Sequence, residues 1–348
     1  MHETSIRVLI ADDSGFMQLL LKNILSVDKN IKVIATAENG QQALEQTVTQ
    51  RPDVVLMDML MPKYDGLYGV ESIMEQCPTP IVILSSVGNS NISPVVAALN
   101  LGAFDYLNKP EGNVAKLRTI DSEIIKKVRL AAKADTNKLR VATQEVNHAE
   151  HVFSEKRLYD IMVIGSSTGG PNALERIINK FPRNLQVPVV IAQHMPSNFV
   201  ESFARRLDLL SPYTVRVAKK GMRIEDGKIY IAPGNQNMMV RYNKAIGKVV
   251  FDVDERVYKE YNNPSINGLM MSAAEVYGAR TLGTILTGMG KDGTAGIEAI
   301  HARGGYTVAQ DRKSSVVFGM PKQAIASGCV KRVVSIDEMG EFLTNCID

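Results

Sequence analysis

Between residues 6 and 128 the chain repeats one pattern. A short apolar run with no polar alternation is followed by a stretch whose apolar positions recur at helical spacing. The runs are Ile6–Ile10, Ile31–Ala35, Val54–Met57, Ile81–Leu84 and Ala103–Leu107. The intervening stretches include Phe16–Leu25 and Gln41–Val48, and a last one carries Leu117, Ile120, Ile124 and Val128. Strands without alternation are buried on both faces, and strands separated by helices form parallel sheets. The pattern therefore predicts an α/β unit with helices covering both faces of its sheet.

From about Ala131 to Arg157 the periodicity stops, and the chain is polar, mixed in charge and poor in large apolar residues. This reads as a tether. The alternation resumes at Tyr159. Strand YDIMVIG leads through SSTGGP to helix ALERIINK, and strand PVVIAQ leads through His194 to helix NFVESFARRL. A strand-rich middle (IYIAP, NMMVRY, VVFDV) precedes helix SAAEVYG, strand TLGTILTG, loop MGKDGT, helix AGIEAIHA and strand YTVAQ, with helices PKQAIAS and EMGEFLTN last. The reading is thus α/β with two doubly wound domains: residues 1–130, a linker over 131–157, and a mostly parallel unit over 158–348. In such sheets ligands bind beyond the carboxyl ends of the strands.

Composition narrows the classes. With 45% hydrophobic and 22% charged residues, the 348-residue chain is ordinary globular protein. A net charge of +3, spread over scattered basic residues, argues against nucleic acid as a partner. Cys77, Cys329 and Cys346 are odd in number and far apart, which fits a reducing cytoplasm better than a disulfide framework. No run approaches the ~18 apolar residues of a membrane span, and the N-terminus carries no signal-peptide pattern. A cytoplasmic protein without direct membrane insertion is expected.

The strand ends of the first unit carry chemistry. Asp12 and Asp13 follow the first run, Asp58 the third, Ser85 the fourth and Lys109 the fifth. Carboxylates converging on one sheet edge repel unless a cation lies between them, and hard oxygen donors suit Mg²⁺. A metal-held carboxylate can attack a phosphoryl group, whose oxygens a hydroxyl and an ammonium can bind. The ordered signature DDS, VVLMD with MP and DG, ILSS and NKP resembles a response-regulator receiver domain over residues 6 to 128. The resemblance implies a flavodoxin-like sheet with Asp58 as phospho-acceptor. It further implies Mg²⁺ on Asp12, Asp13, Asp58 and the backbone of Leu60, switch residues Ser85 and Tyr106, and Lys109 on the phosphoryl group. Leu60 stands where an acidic residue is often found, but only its backbone is needed.

In the second unit Gly165-Ser166-Ser167-Thr168-Gly169 fits G-x-S-x-G between a strand and a helix, with Ser167 at its centre. Glycines permit a sharp turn, and the helix N-terminus past Pro171 offers N–H groups to an oxyanion. A phosphate-binding Gly-rich turn would have the same local pattern. Of five histidines, His2 is terminal, His148 and His151 lie in the tether, and His301 ends a helix; His194 alone directly follows a buried strand. That makes it the candidate base. Asp292, in a glycine-rich loop after TLGTILTG, is favoured over Asp311 as the orienting acid.

The order Ser, His, Asp differs from the Ser, Asp/Glu, His of α/β-hydrolases. The stretches IGSSTGGP, IAQHMPSNFVESFARRL, ILTGMGKDGTAGI and AQDRKSSVVFGMP resemble instead the catalytic domain of chemotaxis protein-glutamate methylesterases. That resemblance implies a serine hydrolase with Ser167 as nucleophile, His194 as base and Asp292 as orienting acid. Thr168 would position His194 and the Met289 backbone would hold the oxyanion, with no cofactor for the esterase step. The implied substrates are γ-glutamyl methyl esters, and also glutamines, on chemoreceptor cytoplasmic helices. A histidine kinase is the implied phosphodonor, and the unphosphorylated receiver is expected to cover the approach to Ser167. Ser166 replaces a usual alanine, Asn267 a usual aspartate and Asn237 a frequent histidine. A receiver-controlled binding module and an unrelated small-ester hydrolase are the rival readings; a transcription factor lacks its helix-turn-helix.

Overall fold

The computed structural model describes residues 5–85, 93–109, 114–139, 151, 157–258, 260 and 262–347. Most of the 131–157 tether, including His148, lies outside the described residues, as do His2, Ser86 and Pro110. The chain divides into two units, Met1–Ala142 and Thr143–Asp348. Among the described residues no helix is long and apolar enough to cross a membrane.

The first unit alternates β1 (Ile6–Ala11), α1 (Gly15–Ser26), β2 (Ile31–Ala37), α2 (Gly40–Gln50), β3 (Val54–Asp58), α3 (Gly66–Gln76), β4 (Ile81–Ser85), α4 (Ser93–Asn100), β5 (Asp105–Asn108) and α5 (Val114–Ala131). Its five strands run parallel in the order β2-β1-β3-β4-β5. Val54 to Met57 and Ile81 to Leu84 are fully buried, as strands covered on both faces require. The first helices start where short polar side chains cap them: Ser14, Asn39 and Asp65 accept from the N–H groups of Met17, Gln42 and Tyr68. Each cap halts the extended chain soon after a strand, so the strand-end residues face one edge. Of the final helical pattern, Ile124 and Val128 are buried; the side chains of Leu117 and Ile120 lie outside the description.

The second unit contains β6 (Ile161–Ser166), α6 (Gly170–Ile178), β7 (Val189–Gln193), α7 (Ser197–Leu210), β8 (Thr214–Val217), β9 (Lys228–Ile231), β10 (Asn237–Asn243), β11 (Lys248–Asp254), α8 (Ile266–Tyr277), β12 (Thr281–Ile285), α9 (Thr294–Ala302), β13 (Tyr306–Gln310), α10 (Met320–Ala326), β14 (Arg332–Val334) and α11 (Ile336–Asn345). Seven strands form one sheet in the order β14-β13-β12-β6-β7-β9-β8, every pair parallel. From β6 the chain first builds outward through β7 and later crosses to β12 on the other side. That reversal opens a crevice at the carboxyl ends of the central strands.

Three features correct the sequence reading. The strands NMMVRY and VVFDV do not join the sheet; β10 and β11 form a separate antiparallel hairpin. The edge strands β8 and β14 are too short and too polar for the periodicity to reveal. Helix α8 begins at Ile266, well before SAAEVYG, because the Ser265 side chain accepts from Gly268 N–H and caps it there. Asn267 and Gly268 hide that first turn, being weak helix formers.

The hairpin packs on α8 through Met238, Val240 and Phe251 against Ile266, Leu269, Met270 and Ala273. Phe251 is fully buried and meets Tyr230 edge-on, ring centroids 5.1 Å apart. Phe251→Ala is expected to cost this unit about 3–5 kcal/mol, a fall in melting temperature on the order of 10 °C. Calorimetry of the full chain measures it; a fall below about 2 °C would remove the hairpin from the core.

Candidate functional site

At the carboxyl edge of the first sheet, Asp12 and Asp13 leave β1 and Asp58 ends the neighbouring β3. One oxygen from each of the three lies within 4.8 Å of the others. Asp12 and Asp58 are buried, while Asp13 is exposed. Lys109, just past β5, reaches in: its Nζ is 2.8 Å from Asp12 Oδ2 and 2.8 Å from Asp58 Oδ2. Burial pushes the Asp58 carboxyl up, and Asp12 adds to the rise; Lys109 and the Leu60 N–H oppose it without cancelling it. Burial also works against the Lys109 ammonium, yet its bonds to Asp12 and Asp58 hold it above the usual lysine value. The donor set fits a hard divalent cation: carboxylate oxygens converge on one point, with Asp13 open to water.

Ser85 is buried at the end of β4, and its carbonyl accepts the Lys109 N–H at 2.7 Å. Tyr106 is also buried, and its ring lies 5.3 Å from Lys127 Nζ, which donates to the Tyr106 carbonyl. Burial, then the charges of Asp105 and Glu123, push its phenol well up. The structure thus brings Asp12, Asp13, Asp58 and Lys109 together, with Ser85 beside them, and holds Tyr106 against α5.

In the second unit three adjacent strands supply the candidates: Ser167 follows β6, His194 follows β7 and Asp292 lies past β12. His194 Nε2 is 2.8 Å from Asp292 Oδ2, which leaves Nδ1 as the other ring nitrogen. Asp292 is 1% exposed. Its Oδ2 also accepts Ile266 N–H, and its Oδ1 accepts Asn267 N–H and Gly293 N–H, each at 2.9 Å. Burial alone would raise this carboxyl; His194 and the N–H groups at the start of α8 outweigh it and hold the carboxyl below its ordinary value. Asp311 is turned elsewhere, its Oδ1 accepting from the Ser314 N–H and hydroxyl.

Ser167 is half-buried at the crevice. The sharp turn after it is made by Gly169, at φ 76°, and not by the serine. A Cβ at Gly169 would stand 2.8 Å from Val316, so both conformation and space require glycine. Gly288 lies so close that a Cβ there would be 2.7 Å from Ser167 Cβ, which places Met289 next to the Ser167 turn. Thr168 is buried, and its carbonyl accepts from Thr287 Oγ1 at 3.0 Å.

Sequence reasoning missed the groups that hold this edge together. Thr287 accepts the Ser167 N–H on its carbonyl and gives its own N–H to Gln310 Oε1. Gln193 and the first turn of α8 were equally invisible. The available signal was a buried-strand terminus ending in glutamine, in PVVIAQ and in YTVAQ.

Comparison with known proteins bears on both units. Residues 162–343 match the CheB methylesterase family, and residues 8–120 match the response regulator receiver domain. A Pyrococcus abyssi protein named protein-glutamate methylesterase/protein-glutamine glutaminase is 38% identical over 99% of this chain and 94% of its own. A Thermotoga maritima protein of the same name is 36% identical, with both chains covered in full. The crystal structure of the Thermotoga maritima CheB methylesterase catalytic domain superposes with TM-score 0.52 at 41% identity, covering 54% of this chain and 98% of that one. Family matches over both units and relatives aligned from end to end show where it belongs: the chain is a member of the CheB methylesterase family of hydrolases and carries a response regulator receiver domain.

Proposed function

We propose that this chain hydrolyses γ-glutamyl methyl esters on the cytoplasmic helices of chemoreceptors and deamidates receptor glutamines, under control of phosphorylation at Asp58. The observation that carries the reading is the His194–Asp292 pair beside Ser167, on three neighbouring strand ends. The relatives' name, protein-glutamate methylesterase/protein-glutamine glutaminase, supports the substrate class. The site of action is the cytoplasm, where the receptor helices and the kinase lie.

Ser167 Oγ attacks the ester carbonyl carbon while its proton passes to His194 Nδ1. The carbonyl electrons move onto oxygen, and the Met289 N–H, with the N-terminus of α6, stabilises the oxyanion. The intermediate collapses, the C–O bond to methoxide breaks, and His194 returns the proton so that methanol leaves. His194 then deprotonates water, which attacks the acyl carbon; the C–Oγ bond breaks, His194 returns the proton to Ser167 Oγ, and the glutamate is freed. With glutamine the leaving group is ammonia. Asp292 keeps His194 oriented and stabilises its cationic form, and Thr168 positions the ring.

In the receiver, a histidine kinase supplies the phosphoryl group. An Asp58 carboxylate oxygen attacks phosphorus and the P–N bond to the kinase histidine breaks. Asp12, Asp13, Asp58 and the Leu60 carbonyl would hold Mg²⁺, which when bound neutralises charge on the phosphoryl oxygens. Lys109 binds one of those oxygens, Ser85 another, and Tyr106 repacks with Ser85.

Methanol release from methylated receptor membranes tests the enzyme. Ser167→Ala and His194→Ala are expected to lower kcat by up to about 10⁶-fold. Asp292→Asn is expected to lose about 10⁴-fold, and Asp311→Asn little. A crippling Asp311→Asn beside a mild Asp292→Asn would overturn the third member. For the receiver, acetyl phosphate with Mg²⁺ is expected to label Asp58 and raise the rate of methanol release. Asp58→Asn, or chelation of Mg²⁺ in the wild type, abolishes both effects. Normal labelling of Asp58→Asn, or a rate indifferent to phosphodonor, counts against phosphorylation control.

A further inference from the structure

The last paired residues of the β6–β7 ladder are Ser166 and Gln193. Ser167 and His194 come one residue later. The His194 N–H still donates to the Ser166 carbonyl, at 3.0 Å. Beyond that bond a side chain continues the link. Gln193 Nε2 donates to the Ser167 carbonyl and to the His194 carbonyl, each at 3.0 Å. Gln193 Oε1 in turn accepts the Ser166 hydroxyl at 2.6 Å.

The amide is 2% exposed and Ser166 is fully buried, so water does not compete for these bonds. The orientation of the amide follows from its partners. Rotated by half a turn, Oε1 would face two carbonyl oxygens and the nitrogen would lose both acceptors. Room for Oε1 is made by Gly170, where a Cβ would stand only 2.0 Å away. The Ser167 carbonyl also accepts the Gly170 N–H at 2.7 Å, so both of its lone pairs are engaged.

We infer that Gln193 and Ser166 are positioning residues for the hydrolytic reaction: Gln193 ties the peptide of the nucleophile to the peptide of the base across two strands, and Ser166 locks the amide that does so. The inference rests on the reading of Ser167 and His194 as nucleophile and base. A nucleophile and base must meet within a few tenths of an ångström, and a misplacement of ~1 Å can cost about 10²-fold in rate. Between β6 and β7 the last main-chain bond is that of the His194 N–H to the Ser166 carbonyl; the Ser167 and His194 carbonyls beyond it are joined by this amide, and the spacing of the two residues depends on it. Ser166, at a position where the family resemblance implies alanine, adds a donor to Oε1 that alanine could not supply.

The test uses the full chain with phosphodonor. Two readouts are taken: methanol release from methylated receptor membranes, and the rate at which a fluorophosphonate probe labels Ser167. Gln193→Met keeps the volume and removes both donors; kcat and the labelling rate are expected to fall about 10²-fold while KM stays within about threefold. Ser166→Ala should lower kcat about three- to tenfold, the worth of one neutral hydrogen bond. In the Gln193→Met background Ser166→Ala should add nothing, because its partner is gone. An unchanged kcat in a Gln193→Met chain that melts like the wild type overturns the inference, as do losses confined to KM or additive effects of the two changes. If Gln193→Met does not fold, Ser166→Ala decides alone, and an unchanged kcat again overturns it. A wild type that takes the probe but releases no methanol would defeat the substrate reading instead, and the labelling rates would still judge the brace.

Discussion

A carboxylate removed from water organises the catalytic edge. Burying an unpaired charge costs several kcal/mol, so Asp292 at 1% exposure must be met by donors from several directions. It is met by His194 Nε2 and by the N–H groups of Ile266, Asn267 and Gly293. Two of those N–H groups belong to the first turn of α8, which would otherwise be left without partners. The helix start therefore has to lie against the loop after β12. Ser265 caps that start, and its N–H donates to the side-chain oxygen of Asn237 in β10 at 2.7 Å. The hairpin is thereby part of the active edge as well as of the core. The same interaction fixes which nitrogen of His194 meets the acid.

Close approach of backbones does the rest. The segment past β12 approaches the turn past β6 because Gly288 carries no Cβ where Ser167 stands, and the loop before α10 approaches the same turn because Gly169 carries none where Val316 stands. Thr287 then stitches the two segments, its carbonyl taking the Ser167 N–H and its hydroxyl reaching the Thr168 carbonyl. Ser167 does not take a positive φ; the left-handed conformation of the turn falls on Gly169, which tolerates it.

The receiver edge solves the opposite electrostatic problem. There, two buried acids and one exposed acid converge, and Lys109 bridges the buried pair. Burial, with the charge of Asp12 added, outweighs the ammonium, and the Asp58 carboxyl stays above its ordinary value. A site in that condition favours added cationic charge, in keeping with the Mg²⁺ site proposed there. In the second unit the donors around Asp292 hold its carboxyl below the ordinary value; in the receiver the donors around Asp58 fall short and its carboxyl lies above it.

The two α/β units, their parallel sheets and the strand-end placement of Asp58, Lys109, Ser167, His194 and Asp292 were legible in the sequence. Uninterrupted β-branched runs can be buried only between helices, and polar residues at the end of such a run have only the sheet edge to occupy. Asp292 was favoured over Asp311 there only through its glycine-rich loop, because both follow strands; the pairing of Asp292 with His194 and with the start of α8, and of Asp311 with Ser314, is visible only in the structure. Helix α8 was half hidden, since its first turn is held by a cap and a distant carboxylate and not by propensity. The separate hairpin and the amide of Gln193 were hidden altogether. Periodicity reports which residues avoid water along one element. Which donors meet which acceptors across strands far apart in the chain is settled only when packing leaves a buried charge or carbonyl that must be satisfied.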